Sequence, residues 1–107
     1  MTDLRVIEQT VIDFFVDTKE YKEYKEKLEK LSQNGALLKR VNEMREANFR
    51  LQSEEGADLM DKYDELTNAF EDVINNALVT EFLEAEAAIV KLVQEFYYNV
   101  TSGLEFK

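Results

Sequence analysis

Carboxylates are the only plentiful reactive side chains in this chain, with 23 Asp and Glu against 13 Lys and Arg and no His or Cys. Pairs such as Glu84/Glu86 or Asp61/Glu65 could approach a hard cation such as magnesium or calcium, which takes oxygen ligands. The di-iron helical bundles need Glu-x-x-His on two helices, and no His is present. The twelve-residue calcium loop is also missing. Without Cys there is no thiolate nucleophile, no disulfide and no cysteine-type zinc or iron–sulfur site. Ser32, Ser53 and Ser102 have no histidine to activate them, and none sits in a nucleophile elbow. No phosphate-binding glycine loop or dinucleotide fingerprint occurs. General acid–base chemistry would rest on carboxylates, Lys or Tyr alone. The expectation is a protein that is not an enzyme, with no catalytic residue, metal or cofactor. A ligand- or metal-binding helical bundle is the alternative.

The acids are more informative by position than by number. Residues 1–53 carry ten acids and ten bases, and residues 87–107 carry two of each. Residues 54–86 carry eleven acids against Lys62 alone, so the whole net charge of −10 sits there. Nucleic-acid phosphates need a basic face, so direct nucleic-acid binding is disfavoured. A partner with a basic surface is compatible, and so is a merely solvated acidic face.

These residues must be carried by helices. The chain has no Pro and only Gly35, Gly56 and Gly103 as punctuation, and its apolar residues recur at three and four spacing. Its length of 107 residues suits one domain, 1–107, with one modest core. Five helices are expected. The first spans about 3–16 on Leu4, Ile7, Val11 and Phe14. The second starts behind Asp17, with Glu20 reaching back as in a capping box, and carries Tyr21, Tyr24, Leu28 and Leu31. Glu23–Lys27 and Glu26–Lys30 support it in the favourable order. Asn34-Gly35 ends it, with Gly35 left-handed. The third covers about 36–53 and the fourth about 57–75, with Gly56 in the turn between them.

Leu37, Val41, Met44, Asn48 and Leu51 on the third helix and Leu59, Tyr63, Leu66, Phe70 and Val73 on the fourth form matched heptad stripes. Two such stripes joined by a short turn predict an antiparallel hairpin. In that register Asp58, Asp61, Asp64, Glu65, Glu71 and Asp72 point outward, away from ion pairs within the chain. Leu38, Met60 and Ile74 widen the stripes and call for another helix. Asn48 either sets register or reaches water.

The fifth helix runs from Ala77 to about Ser102, with Phe82, Ile89, Val93, Phe96 and Val100 on its main face. It is apolar on so many sides that it is either central or an oligomer interface. Tyr98 is the expected exposed member of Phe96-Tyr97-Tyr98, and the tail from Gly103 to Lys107 is expected to fray. The fold class is therefore all-α, a helical hairpin with flanking helices, its bundle completed by homodimerisation. Met1-Thr-Asp-Leu-Arg5 lacks a signal-peptide shape. No apolar run approaches the roughly 20 residues of a membrane span. A soluble cytoplasmic protein is expected.

The densest pattern opens the last helix: Asn76-Ala-Leu-Val-Thr-Glu-Phe-Leu-Glu-Ala-Glu86. Asn76 can cap, because its side-chain oxygen can accept from an amide one turn on. Val79, Phe82 and Leu83 form an apolar stripe, Glu86 lies off it, and Ala85 permits close approach. Tyr21 and Tyr24 belong to a second pattern, Thr18-Lys-Glu-Tyr-Lys-Glu-Tyr24. Aromatics three apart on an amphipathic helix are more often core than a base-stacking platform.

Together these two segments resemble the YlbF/YmcA family of small bacterial helical proteins, the control-of-competence regulators. Thr18 to Tyr24 resembles that family's S-x-E-Y-x-x-Y motif. Asn76 to Glu86 resembles its N-P-x-V-x-E-Y-L-x-A-E motif, with Ala77 for Pro and Phe82 for Tyr. The resemblance runs from about Val6 to Val100. It implies a non-enzymatic regulator, cytoplasmic in Gram-positive bacteria, acting in competence, sporulation and biofilm control. Such regulators belong to a complex that influences an mRNA-processing endoribonuclease. They associate with themselves or with family paralogues. Some carry cysteines for iron–sulfur clusters, a property that this cysteine-free chain does not inherit. Tyr21, Tyr24, Asn76, Val79, Phe82, Leu83 and Glu86 are thus expected to hold the packing. Asp58, Asp61, Asp64, Glu65 and Asp72 are the expected partner face.

Overall fold

In a computed structural model of the chain, residues 3–54, 56 and 58–105 are described. They form six helices and no strand: α1 Leu4–Val16, α2 Lys19–Ser32, α3 Gly35–Gln52, α4 Leu59–Ala69, α5 Glu71–Ile74 and α6 Ala77–Gly103. The protein is all-α, as its periodicity predicts. It divides into two compact units. One holds residues 1–27 and 82–107, and the other holds 28–81, so α2 and α6 each contribute to both.

The starts of α1, α2, α3 and α6 are each fixed by a side chain that accepts from a free first-turn amide. Asp3 accepts from the Arg5 amide at 2.9 Å and opens α1. At α2 the expected cap, Asp17, is displaced by Thr18. Thr18 Oγ1 accepts from the Tyr21 amide at 3.2 Å, while Asp17 closes α1. The Thr18 hydroxyl also donates to the Phe15 carbonyl at 2.6 Å, so one side chain serves both helix ends. Gly35 is likewise reassigned. It is the first residue of α3 and does not have a positive φ, because Asn34 caps that helix by accepting from the Leu37 amide at 3.1 Å. Gly56 does have a positive φ, 153°, in the bend before α4. The expected first residue of that helix, Ala57, lies outside the described residues.

In the unit of residues 28–81, α3 packs against α4 and α5. Leu31, Val41, Leu51, Val73 and Val79 are its buried residues. Leu37, Met44, Asn48, Leu59, Leu66 and Phe70 are half-buried around them. Met60 and Ile74, expected to widen the buried stripes, are exposed.

The fourth helix breaks, where one continuous helix over 57–75 is expected. Phe70 leaves helical geometry, at φ −114° and ψ 25°, and the four residues of α5 follow. The cause is visible in the hydrogen bonding. In an unbroken helix the Val73 amide would donate to the Ala69 carbonyl. Here it donates to Phe70 O at 3.0 Å, and the Ala69 carbonyl instead accepts from Arg40 Nη2 at 2.9 Å.

In the other unit the buried residues are Phe82, Ala85 and Ile89, all on α6. The main face of α6 is therefore buried only over its first half. Val93, Phe96 and Val100 are exposed. Tyr98 is exposed as expected, and Tyr97 is equally exposed. The helix continues through Gly103, and Glu105 follows at φ 63°.

Candidate functional site

Two surfaces follow from the residues singled out in the sequence. The first joins the two motifs. The Thr18 cap starts α2 so that Tyr21 and Tyr24 fall on one side, their rings 6.2 Å apart. Asn76 Oδ1 accepts from the Val79 amide at 3.2 Å and starts α6, its role in the motif reading. Six residues on, the Phe82 ring lies 5.8 Å from that of Tyr24, inclined by 30°. Phe82 is 2% exposed, whereas Tyr21 and Tyr24 are half-buried. Val79 is buried, and Leu83 and Glu86 are half-buried. The two segments, about sixty residues apart in sequence, thus meet through a tilted aromatic pair. That arrangement stabilises packing and offers no reactive group.

The second surface is the acidic face of α4. Asp58, Asp61, Asp64 and Glu65 are exposed, and their spacing of three and four places them on one side of the helix. Asp61 and Asp64 form no ion pair among the described residues. Asp58 occupies the N-cap position of α4 without a side-chain cap bond, 3.9 Å from Lys62 Nζ. Lys62 is held more closely by Glu54, at 2.6 Å. That hydrogen bond, with the charges of Asp58 and Glu54, raises its pKa above 10.5.

Asp72 stands apart from the face to which its register assigned it. It is exposed, but both of its oxygens are taken by Arg40, Oδ1 by Nη2 at 2.9 Å and Oδ2 by Nε at 3.3 Å. The expectation that Asp72 lies outside ion pairs within the chain is overturned. The break at Phe70 shifts α5 out of the α4 register and brings Asp72 to Arg40. The Arg40 guanidinium also donates to Glu43 at 3.2 Å and lies 4.6 Å from the Phe70 ring centre. Hydrogen bonding to Asp72 raises the Arg40 pKa, and the same contact lowers that of Asp72 below its ordinary 3.8.

Arg40 was not singled out from the sequence. A signal for it existed, since with Val41 at an a position Arg40 is a g residue, placed to cross to an acidic neighbouring helix.

Among the described residues no group of three or more Asp and Glu is arranged to hold a metal ion, and Glu84/Glu86 and Asp61/Glu65 form no such cluster. No helix among them is long and apolar enough to cross a membrane.

The family model of the control of competence regulator ComK, YlbF/YmcA, matches residues 11–105. The chain belongs to this family. None of the curated proteins and none of the solved structures compared with it matches.

Proposed function

We propose that this protein is a non-enzymatic regulatory adaptor that works by binding other proteins. Asp61, Asp64 and Glu65 on α4 meet a basic partner surface, with Asp58 at its edge. The observation that carries this reading is the one-sided charge: residues 54–86 hold eleven acids against Lys62 alone, and among them Asp61, Asp64 and Glu65 are exposed on α4. Asp72 is excluded from the face because Arg40 occupies it. A face of one sign steers an oppositely charged partner and raises its association rate. Family membership supports a regulatory role. The finer reading extends this to the cytoplasmic control of competence, sporulation and biofilm formation through mRNA processing, with the chain associating with itself or with family paralogues.

The test is affinity purification of the tagged chain from its native host at low and at high salt. The reading expects a co-purifying protein with a basic surface that is released by about 0.5 M salt, where the Debye length falls to about 4 Å. Recovery of the chain with no other protein at low salt would overturn it.

A further inference from the structure

We infer that Arg40 is a latch on the acidic surface: it keeps Asp72 out of that surface by breaking α4, and its release lets α4 and α5 run on as one helix with Asp72 on the acidic side. All the residues involved lie in the unit of residues 28–81. In the latched state one guanidinium from α3 holds three groups around the break. Nη2 and Nε donate to the two oxygens of Asp72, and Nη2 also donates to the Ala69 carbonyl at 2.9 Å. The same guanidinium lies 4.6 Å from the Phe70 ring centre. The Ala69 carbonyl is the acceptor that the Val73 amide would use in a continuous helix, and that amide donates to Phe70 O at 3.0 Å instead. The Ile74 amide already donates to Phe70 O, four residues earlier, at 2.9 Å. Helical hydrogen bonding therefore resumes directly after the one acceptor that Arg40 has taken.

Nothing local enforces the break, since residues 67–73 contain neither Gly nor Pro. Phe70 stands at φ −114° and ψ 25°, so a return to helical geometry needs a rotation of roughly 50° in φ and 70° in ψ. The latch is also open to competition. Of the side chains, 36% of Arg40 and 61% of Asp72 are exposed, and exposed ion pairs are weak. On releasing Asp72, Arg40 keeps Glu43, its partner at 3.2 Å on α3 itself. Register gives the open state its consequence. In a continuous helix Asp72 follows Asp61 by three turns and about 20°, which places it between Asp61 and Glu65 round the axis. Asp58, Asp61, Glu65 and Asp72 then form one stripe roughly 21 Å long. A basic partner gains a carboxylate by binding the open state and draws the equilibrium toward it. Arg40 is thus the internal rival of a partner's cation. The use of such a latch rests on the protein-binding reading above, whereas its presence is measured without the partner.

The first measurement is the Cα chemical shift of Phe70 in Arg40→Leu and in Arg40→Lys, which keeps the charge and loses the bidentate fork. Both are expected to move Phe70 toward the helical value. Arg50→Leu, which removes an exposed cation from the same helix, is expected to leave it in place. The second measurement is binding of a decalysine peptide at about 10 mM salt, where the Debye length is about 30 Å. Asp72→Asn is expected to weaken binding roughly two- to fivefold in the Arg40→Leu background, the worth of one exposed ion pair. In the parent chain, where Arg40 already occupies Asp72, the same substitution is expected to leave binding unchanged. Should Arg40→Leu fail to fold, Arg40→Lys carries both measurements. A Phe70 shift unmoved in the Arg40 variants would overturn the inference. So would an equal effect of Asp72→Asn in the two backgrounds. Recovery of no basic partner from the host would sink the protein-binding reading and leave these two results standing, so the latch and that reading fail separately.

Discussion

Tyr24 and Phe82 come from the two sequence motifs, and their contact is where those motifs become one structure. Phe82 is 2% exposed. Truncating it to Ala would cost about 3–5 kcal/mol, a large part of the roughly 5–15 kcal/mol that stabilises a domain of this size. Phe82→Leu is the better perturbation, because it keeps apolar volume and costs roughly 1.5 kcal/mol or less. Tyr24→Leu, at a half-buried site, is expected to cost about 1 kcal/mol.

The rings lie 5.8 Å apart and inclined by 30°, and an aromatic pair at such a separation is worth about 0.5–1.5 kcal/mol beyond area burial. The double variant should therefore be less destabilised than the sum of the single variants by about 0.5–1 kcal/mol. Guanidinium unfolding followed at 222 nm, with all four proteins in one buffer, measures the cycle. A coupling within 0.3 kcal/mol of zero, roughly the error expected of independent sites, would refute the claim that this contact ties the motifs together.

The capping assignments and the Arg40–Asp72 pair supply further expectations. Thr18→Ala and Asn76→Ala should each cost about 1 kcal/mol by denaturant melt, and Asp17→Ala distinctly less; equal losses at Asp17 and Thr18 would restore Asp17 as the cap. Asp72 has its pKa lowered in the folded state by Arg40. Its stabilising contribution is therefore complete above the ordinary carboxylate range and is lost as pH falls through the folded value. Asp72→Asn should melt below the parent protein at pH 7 and match it near pH 2, with a small gap because the pair is exposed. A gap of the same size at both pH values would contradict the assignment. Arg40→Leu should free the Ala69 carbonyl to accept from the Val73 amide and so slow amide exchange at Val73, measured by hydrogen–deuterium exchange. Unchanged or faster exchange there would show that the break at Phe70 has another cause.

The sequence revealed elements governed by local rules more fully than those governed by contacts between distant residues. The apolar periodicity of α3 and α6 and the cap at Asn76 depend on residues within a turn or two, and all are present in the fold. Asp17 and Thr18 are adjacent, and either can cap. The choice falls to Thr18, whose hydroxyl also reaches the Phe15 carbonyl, a tertiary detail that spacing does not encode. Asn34-Gly35 reads equally as a helix end and a helix start, and the Asn34 side chain settles it for the start. The break at Phe70 was not legible because Thr67 to Val73 contains neither Gly nor Pro. It depends on Arg40, thirty residues earlier, competing for the Ala69 carbonyl. Asp72 was misplaced for the same reason, since its outward register assumed an unbroken helix. Of the candidate face, the charge and one-sidedness of Asp61, Asp64 and Glu65 could be read from spacing, and the withdrawal of Asp72 could not.

The central claim is that the acidic face of α4 recognises a protein partner. It is tested most directly by affinity purification of the tagged parent chain beside the D61S/D64S/E65Q variant, from the native host and in the same buffer, with quantitative mass spectrometry of the co-purified proteins. Helicity of the two chains should be equal, because all three sites are exposed. The account predicts that a basic partner recovered with the parent chain falls at least tenfold with the variant. An identical set of proteins at identical abundance would contradict it.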